Sequence, residues 1–67
     1  MTIGDKIKIK RLEKGLRQED LATLSGLSTR SICFWETGGR CPTLPHLMVI
    51  ADALGVDFTE FVRGVEL

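Results

Sequence analysis

Apolar and polar positions fall into five short segments that separate at Gly and Pro. Ile3, Ile7 and Arg11 recur every four residues, and Ile9, Leu12 and Leu16 at three and four. That is the period of a helix face. Lys6-Ile7-Lys8-Ile9-Lys10 alternates as a strand would, but the wider window outweighs it. A first helix over 3–14 follows, with Thr2 as cap, Asp5 in its first turn and Gly15 at its end. A second runs from Gln18 to Ser25, with Leu21, Ala22 and Leu24 as its apolar side and Gly26 beyond it. Ser28 caps a third, and Leu27 and Ile32 flank the cap as a hydrophobic staple. Gly38-Gly39 stops that helix. Thr43 caps a fourth, where Leu44, Leu47, Ile50, Ala51 and Leu54 form a core stripe before Gly55. A fifth starts at Asp57, where Asp57-x-x-Glu60 resembles a capping box, with Phe58, Phe61 and Val62 as its apolar side. Five helices with short links predict an all-α bundle.

The chain has 67 residues, 43% of them hydrophobic and 27% charged. That length holds one domain, expected over 1–67, with composition enough for a core. No apolar run reaches the roughly 20 residues of a membrane span, and the N-terminus lacks a signal-peptide form. A cytoplasmic protein is expected. Two Cys make no disulfide scaffold, and small filler thiols in a reducing compartment are the plain reading. Cys33, Cys41 and His46 read Cys-x7-Cys-x4-His, which is no zinc spacing and lacks a fourth ligand. Oxidation of Cys33 is a further possibility for a thiol in the third helix. A single His without a nucleophile partner makes no catalytic set, so neither an enzyme nor a cofactor is expected.

Gln18 to Thr37 places two short helices around a tight turn. Ala22 stands where the second helix must admit the third. Gly26, four residues on, stands where the turn calls for positive φ. Leu21, Leu27, Ile32 and Trp35 then face a shared interior, the spacing of a DNA-reading helix-turn-helix. Taken together, Ile3-Gly4, Lys10-Arg11, Gly15-Leu16-Arg17-Gln18, Leu21-Ala22, Ser25-Gly26-Leu27-Ser28, Ile32, Trp35-Glu36-Thr37-Gly38, Arg40-Cys41-Pro42-Thr43 and Ile50-Ala51-x2-Leu54-Gly55-Val56 carry a resemblance. The chain resembles the lambda-repressor-like, Cro/repressor-type helix-turn-helix domains, or Xre family, from Ile3 to about Gly64. The resemblance implies five helices and sequence-specific binding of double-stranded operator DNA, commonly as a dimer.

The same resemblance implies roles. Gln18 and Arg40 match phosphate contacts, and Lys10 is the likeliest of the first helix's lysines to join them. Ser28, Thr29, Arg30, Cys33 and Phe34 match the outward, base-reading face of the third helix. Arg11 and Glu36 match a partly buried ion pair. Arg30 suits guanine, whose O6 and N7 it can bond bidentately, or else a phosphate.

Two places depart from the family pattern, Arg17 and the pair Cys33-Phe34. Arg17 stands where a polar cap is usual, so the capping bond is lost and a cation sits at the positive helix end, free for a phosphate instead. Phe34 stands where a polar residue is usual. It can meet thymine methyls, fold back over Gly38-Gly39 as a peripheral core residue, or serve a protein interface in a copy that no longer reads DNA. Val56, Phe58, Phe61, Val62 and Val65 exceed what so small a bundle buries easily, which predicts a C2 homodimer through the fifth helix. Phe58 and Phe61 can instead close the monomer core. The other class of function left open is a protein-interaction module, such as the antitoxin of a toxin–antitoxin pair.

Net charge is zero, which by itself argues against a nucleic-acid partner. Its distribution changes that. Residues 1–40 hold 8 basic and 5 acidic side chains, and 41–67 hold 1 and 4, so the halves carry +3 and −3.

Overall fold

The computed structural model describes residues 2–62, and within them every regular element is helical. They are α1 (Ile3–Glu13), α2 (Gln18–Ser25), α3 (Thr29–Glu36), α4 (Leu44–Leu54) and α5 (Thr59–Val62). Their starts follow from local chemistry. At α1, the Thr2 hydroxyl accepts from the Asp5 N–H while the Asp5 carboxylate accepts from the Thr2 N–H, at 3.1 and 3.0 Å. This reciprocal pair satisfies two donors that have no partner within the helix. At α3 the Ser28 hydroxyl accepts from the Ser31 N–H at 3.1 Å. Gly26, with φ +73°, supplies the left-handed residue on which the α2–α3 turn depends.

The core unites Ile3 and Ile7 of α1, Leu21 and Ala22 of α2, Ile32 and Trp35 of α3, Leu47, Ile50, Ala51 and Leu54 of α4, and Phe61 of α5. α2 packs on α3 and α4, and α1 packs on α3, α4 and α5. Gly4 makes the α1–α3 approach possible. A Cβ there would run into the backbone carbonyl of Trp35.

Several expected positions lie elsewhere. Ile9, Leu12, Leu24 and Leu44 are exposed rather than core. Ile9 follows Ile7 by two residues and Leu24 follows Ala22 by two, which turns each about 200° from the buried neighbour. Leu44 sits at the first residue of α4, where the helix overhangs its core contacts. α1 ends one residue early, with Lys14 as its cap. α5 begins at Thr59, two residues after Asp57, and the expected Asp57–Glu60 cap forms ahead of it. The Asp57 carboxylate accepts from the Thr59 N–H at 3.0 Å, and the Glu60 carboxylate accepts from the Asp57 N–H at 3.3 Å. The Thr43 hydroxyl makes no cap bond, since it pairs with Nδ1 of His46 at 3.0 Å. No helix among the described residues is long and apolar enough to cross a membrane.

Candidate nucleic-acid interface

α3 buries Ile32, Trp35 and Glu36, so the opposite positions must face outward. Thr29, Arg30, Cys33, Phe34 and Thr37 are all exposed. Ser28 is exposed as well, but its hydroxyl is engaged at the cap, where it also donates to the Ser31 hydroxyl at 2.9 Å. Thr37 did not stand out in the sequence, although its spacing from Arg30, Cys33 and Phe34 puts it on the same helical stripe. Its hydroxyl donates to the Cys33 and Phe34 carbonyls at 2.9 and 3.2 Å. The stripe therefore presents aromatic carbon, thiol and methyl around Arg30. Phe34 is 51% exposed, yet its ring also lies over Gly39, where a Cβ would strike it. The ring thus folds back over the turn as one expectation has it, but it is not the peripheral core residue that expectation makes it.

A buried cluster holds this helix in place. Arg11 donates from Nε and Nη2 to the two Glu36 carboxylate oxygens at 2.7 and 2.9 Å, and from Nη1 to the Leu16 carbonyl at 2.7 Å. The side chains are 8% and 1% exposed, so the pair is desolvated as well as bidentate. The hydrogen bond to Glu36 raises the Arg11 pKa above its ordinary value against the opposing effect of burial. Gln18, the first residue of α2, donates from Nε2 to Glu36 Oε1 at 3.2 Å. One carboxylate thereby ties α1, α2 and α3 together.

Arg11, Arg17, Gln18, Glu19 and Thr29 line a depression of about 310 Å³ between the starts of α2 and α3. Helix starts direct N–H groups and partial positive charge outward, as a phosphate requires. Arg17 rims this depression, though it is not a free cation. Its guanidinium lies 2.7 Å from Glu19 and 3.3 Å from Asp20, and hydrogen bonding to Asp20 is the main cause of its raised pKa. The cap is also only half lost, because the Asp20 carboxylate accepts from the Arg17 N–H at 2.9 Å. The Arg17 side chain is 74% exposed, so exchanging these carboxylates for another anion costs little.

Lys10 is occupied differently. It lies 3.2 Å from Glu60 and 3.6 Å from Glu13, bridging α1 to α5, and the Glu60 hydrogen bond is the first cause of its raised pKa. Among the described residues, Arg30 and Arg40 are exposed and make no ion pair. Cys33 and Cys41 are free, exposed thiols. His46 packs its ring on Trp35, centroids 5.2 Å apart, and no group of His, Cys, Asp and Glu among the described residues is arranged to hold a metal ion.

The expected dimer residues divide. Phe61 is fully buried in its own protomer, a correction that follows from its position at the α1–α5 contact. Val56 and Phe58 are half-buried and pack against the core. The Val62 side chain and Val65 lie outside the described residues.

Comparison with known proteins agrees with this architecture. A family model described as helix-turn-helix matches residues 7–61. The HTH-type transcriptional regulator y4dJ of Sinorhizobium fredii is 40% identical over 64 residues, covering 96% of this chain and 83% of that one. The restriction-modification controller protein C.AhdI from Aeromonas hydrophila superposes with a TM-score of 0.85 at 36% identity, covering 88% and 89% of the two chains. The P22 c2 repressor, solved in complex with a synthetic operator, superposes with a TM-score of 0.86 at 25% identity, covering 96% and 97%. These are folds of regulators and not of enzymes. With its lambda-repressor-like bundle and a match spanning most of its length, the chain belongs to the helix-turn-helix family of DNA-binding transcriptional regulators.

Proposed function

We propose that this regulator works as a single domain in the cytoplasm, seating α3 in the major groove of a palindromic operator as a homodimer and acting, as a repressor, by occupying the site. The observation that carries this reading is the stripe Thr29, Arg30, Cys33, Phe34 and Thr37, fully outward on a helix whose opposite face is locked by Arg11–Glu36. In this reading Arg30 reads a base, while Gln18 and Arg40, with Arg17 after exchange of its carboxylates, hold phosphates on either side. Lys10 is assigned to the α1–α5 bridge instead.

Dimerisation supports the geometry. One protomer measures 28 × 23 × 21 Å, so two copies side by side can present α3 twice at the roughly 34 Å of one DNA turn. Val56 and Phe58 are the expected contact residues that keep exposed surface among those described.

The test is selection of bound duplexes from a random pool, followed by fluorescence anisotropy. Arg30→Ala is expected to relax preference at one position per half-site, while Gln18→Ala weakens all sequences alike. A chain that enriches no sequence and co-purifies with a neighbouring gene product would be a protein-interaction module instead.

A further inference from the structure

The reading face carries a second feature besides Arg30. Beside the Phe34 ring lies a depression of about 320 Å³, lined by Arg30, Cys33, Phe34 and Thr37 and mostly apolar. Its apolar character has identifiable causes. The Thr37 hydroxyl is turned back to the Cys33 and Phe34 carbonyls. The Phe34 ring is drawn over the end of the helix because residue 39 has no side chain. A Cβ at Gly39 would collide with ring carbon Cδ1 and stand 2.7 Å from Cε1. The Gly39 N–H donates to the Phe34 carbonyl at 2.9 Å, fixing the two residues together. Gly39 does not have the positive φ of Gly38, so its lack of a side chain serves space and not backbone conformation.

An apolar hollow rimmed by an unpaired cation fits few parts of a DNA groove. The base edges of the major groove expose one apolar group, the C5-methyl of thymine. We infer that the depression between Arg30 and Phe34 takes a thymine methyl, and that Gly39 is a positioning residue for this specificity because it lets the Phe34 ring form the wall. Phe34 makes the contact and Gly39 acts through it. The inference rests on the proposed seating of α3 in DNA. The cations Arg30 and Arg40, unpaired among the described residues, favour a polyanion over a protein as the occupant of this face.

The experiment uses the full chain and duplexes recovered from a random pool. Each thymine is replaced in turn by deoxyuridine, which deletes the methyl and leaves every donor and acceptor in place. One thymine per half-site should weaken wild-type binding about fourfold on replacement, the value of one buried methyl group. Phe34→Ala should bring that ratio close to one. Gly39→Ala keeps the ring but displaces it, so it should lose the ratio too while retaining the wild-type helical signal and melting temperature. In the Phe34→Ala background, Gly39→Ala should leave the ratio unchanged, which a merely structural role for Gly39 does not predict. If duplexes are enriched but no deoxyuridine replacement exceeds about 1.5-fold, the inference is overturned and the DNA reading stands. A wild-type ratio retained by Phe34→Ala assigns the ring to another contact, such as a protein, and also overturns it. If no duplex is enriched, the DNA reading itself fails and the inference goes with it.

Discussion

Removing one partner of the Arg11–Glu36 pair should cost far more than removing both. Glu36→Ala leaves the Arg11 guanidinium buried with only the Leu16 carbonyl, which it meets at 2.7 Å. Arg11→Met leaves the Glu36 carboxylate with only Gln18, at 3.2 Å. An uncompensated buried charge costs about 3–5 kcal/mol. For a domain of this length, total stability at the usual value per residue is about 3–10 kcal/mol. Each single variant should therefore lose a third or more of its stability, and at the low end of that range it would be unfolded at 25 °C. Glu36→Ala should be the worse of the two, because Glu36 also holds Gln18. The double variant Arg11→Met/Glu36→Ala removes both charges and should lie within about 2 kcal/mol of wild type. Urea unfolding followed through Trp35 reports this directly, since that residue is the sole Trp and is buried in the core. The titration belongs at one low protein concentration, because a dimer shifts apparent stability by mass action. Single losses under about 1 kcal/mol, or a double loss equal to the sum of the singles, would refute the reasoning.

Three further outcomes are expected. Gly4→Ala should destabilise the fold severely, since its Cβ would meet the rigid Trp35 carbonyl rather than a movable side chain, whereas Gly39→Ala should melt near wild type by calorimetry. The carboxyls of Asp5 and Asp20 are held below their ordinary value, chiefly because each accepts a cap N–H, from Thr2 and Arg17 respectively. Their stabilisation is present above the unfolded value of about 4 and is lost as pH falls through the lower folded values, so Asp5→Asn with Asp20→Asn should flatten the acid limb of a stability–pH curve. With Arg17 and Arg40 as the phosphate cations, a dimer displaces about four counterions and should show a log–log salt slope of about −4, which Arg40→Ala reduces to about −2; a wild-type slope near −8 would contradict the assignment.

The legible parts of the fold were those set by local chemistry. Thr2, Ser28 and Gly26 act at the backbone within three or four residues of themselves, so their roles could be read from spacing. Ile9, Leu24 and Leu44 were misplaced because apolar identity says nothing of which way a short helix is turned. Helices of 8 and 11 residues have too few apolar positions to fix that phase. The ion pair was visible only through family resemblance. Its third member, Gln18, was assigned to phosphate, and the bond to Glu36 spans 18 residues and needs three helices in place. The cap at Arg17 is half legible for a related reason. The loss of a side-chain cap was plain, but Asp20 restores half of it from three residues away. For Phe34 the decisive neighbour is Gly39; packing over Gly38-Gly39 is open to the sequence, but not that the ring takes the space a Cβ would fill.

Zero net charge by itself argues against a nucleic-acid partner, and the structure shows why the sum misleads. Acidic side chains of the N-terminal part are largely spent on internal pairing. Glu36 is consumed by Arg11 and Gln18, and Asp20 and Glu19 hold Arg17. Glu60, from the acidic part, pairs with Lys10 across α1 and α5. What remains unpaired on and just after α3, among the described residues, is positive, Arg30 and Arg40, around a mostly apolar hollow. A face with so few free cations has little non-specific attraction to DNA. In the proposed dimer, affinity comes instead from base contacts and from pairing two protomers. That makes the shape of the hollow, and hence the absence of a side chain at residue 39, a matter of binding as much as of selectivity.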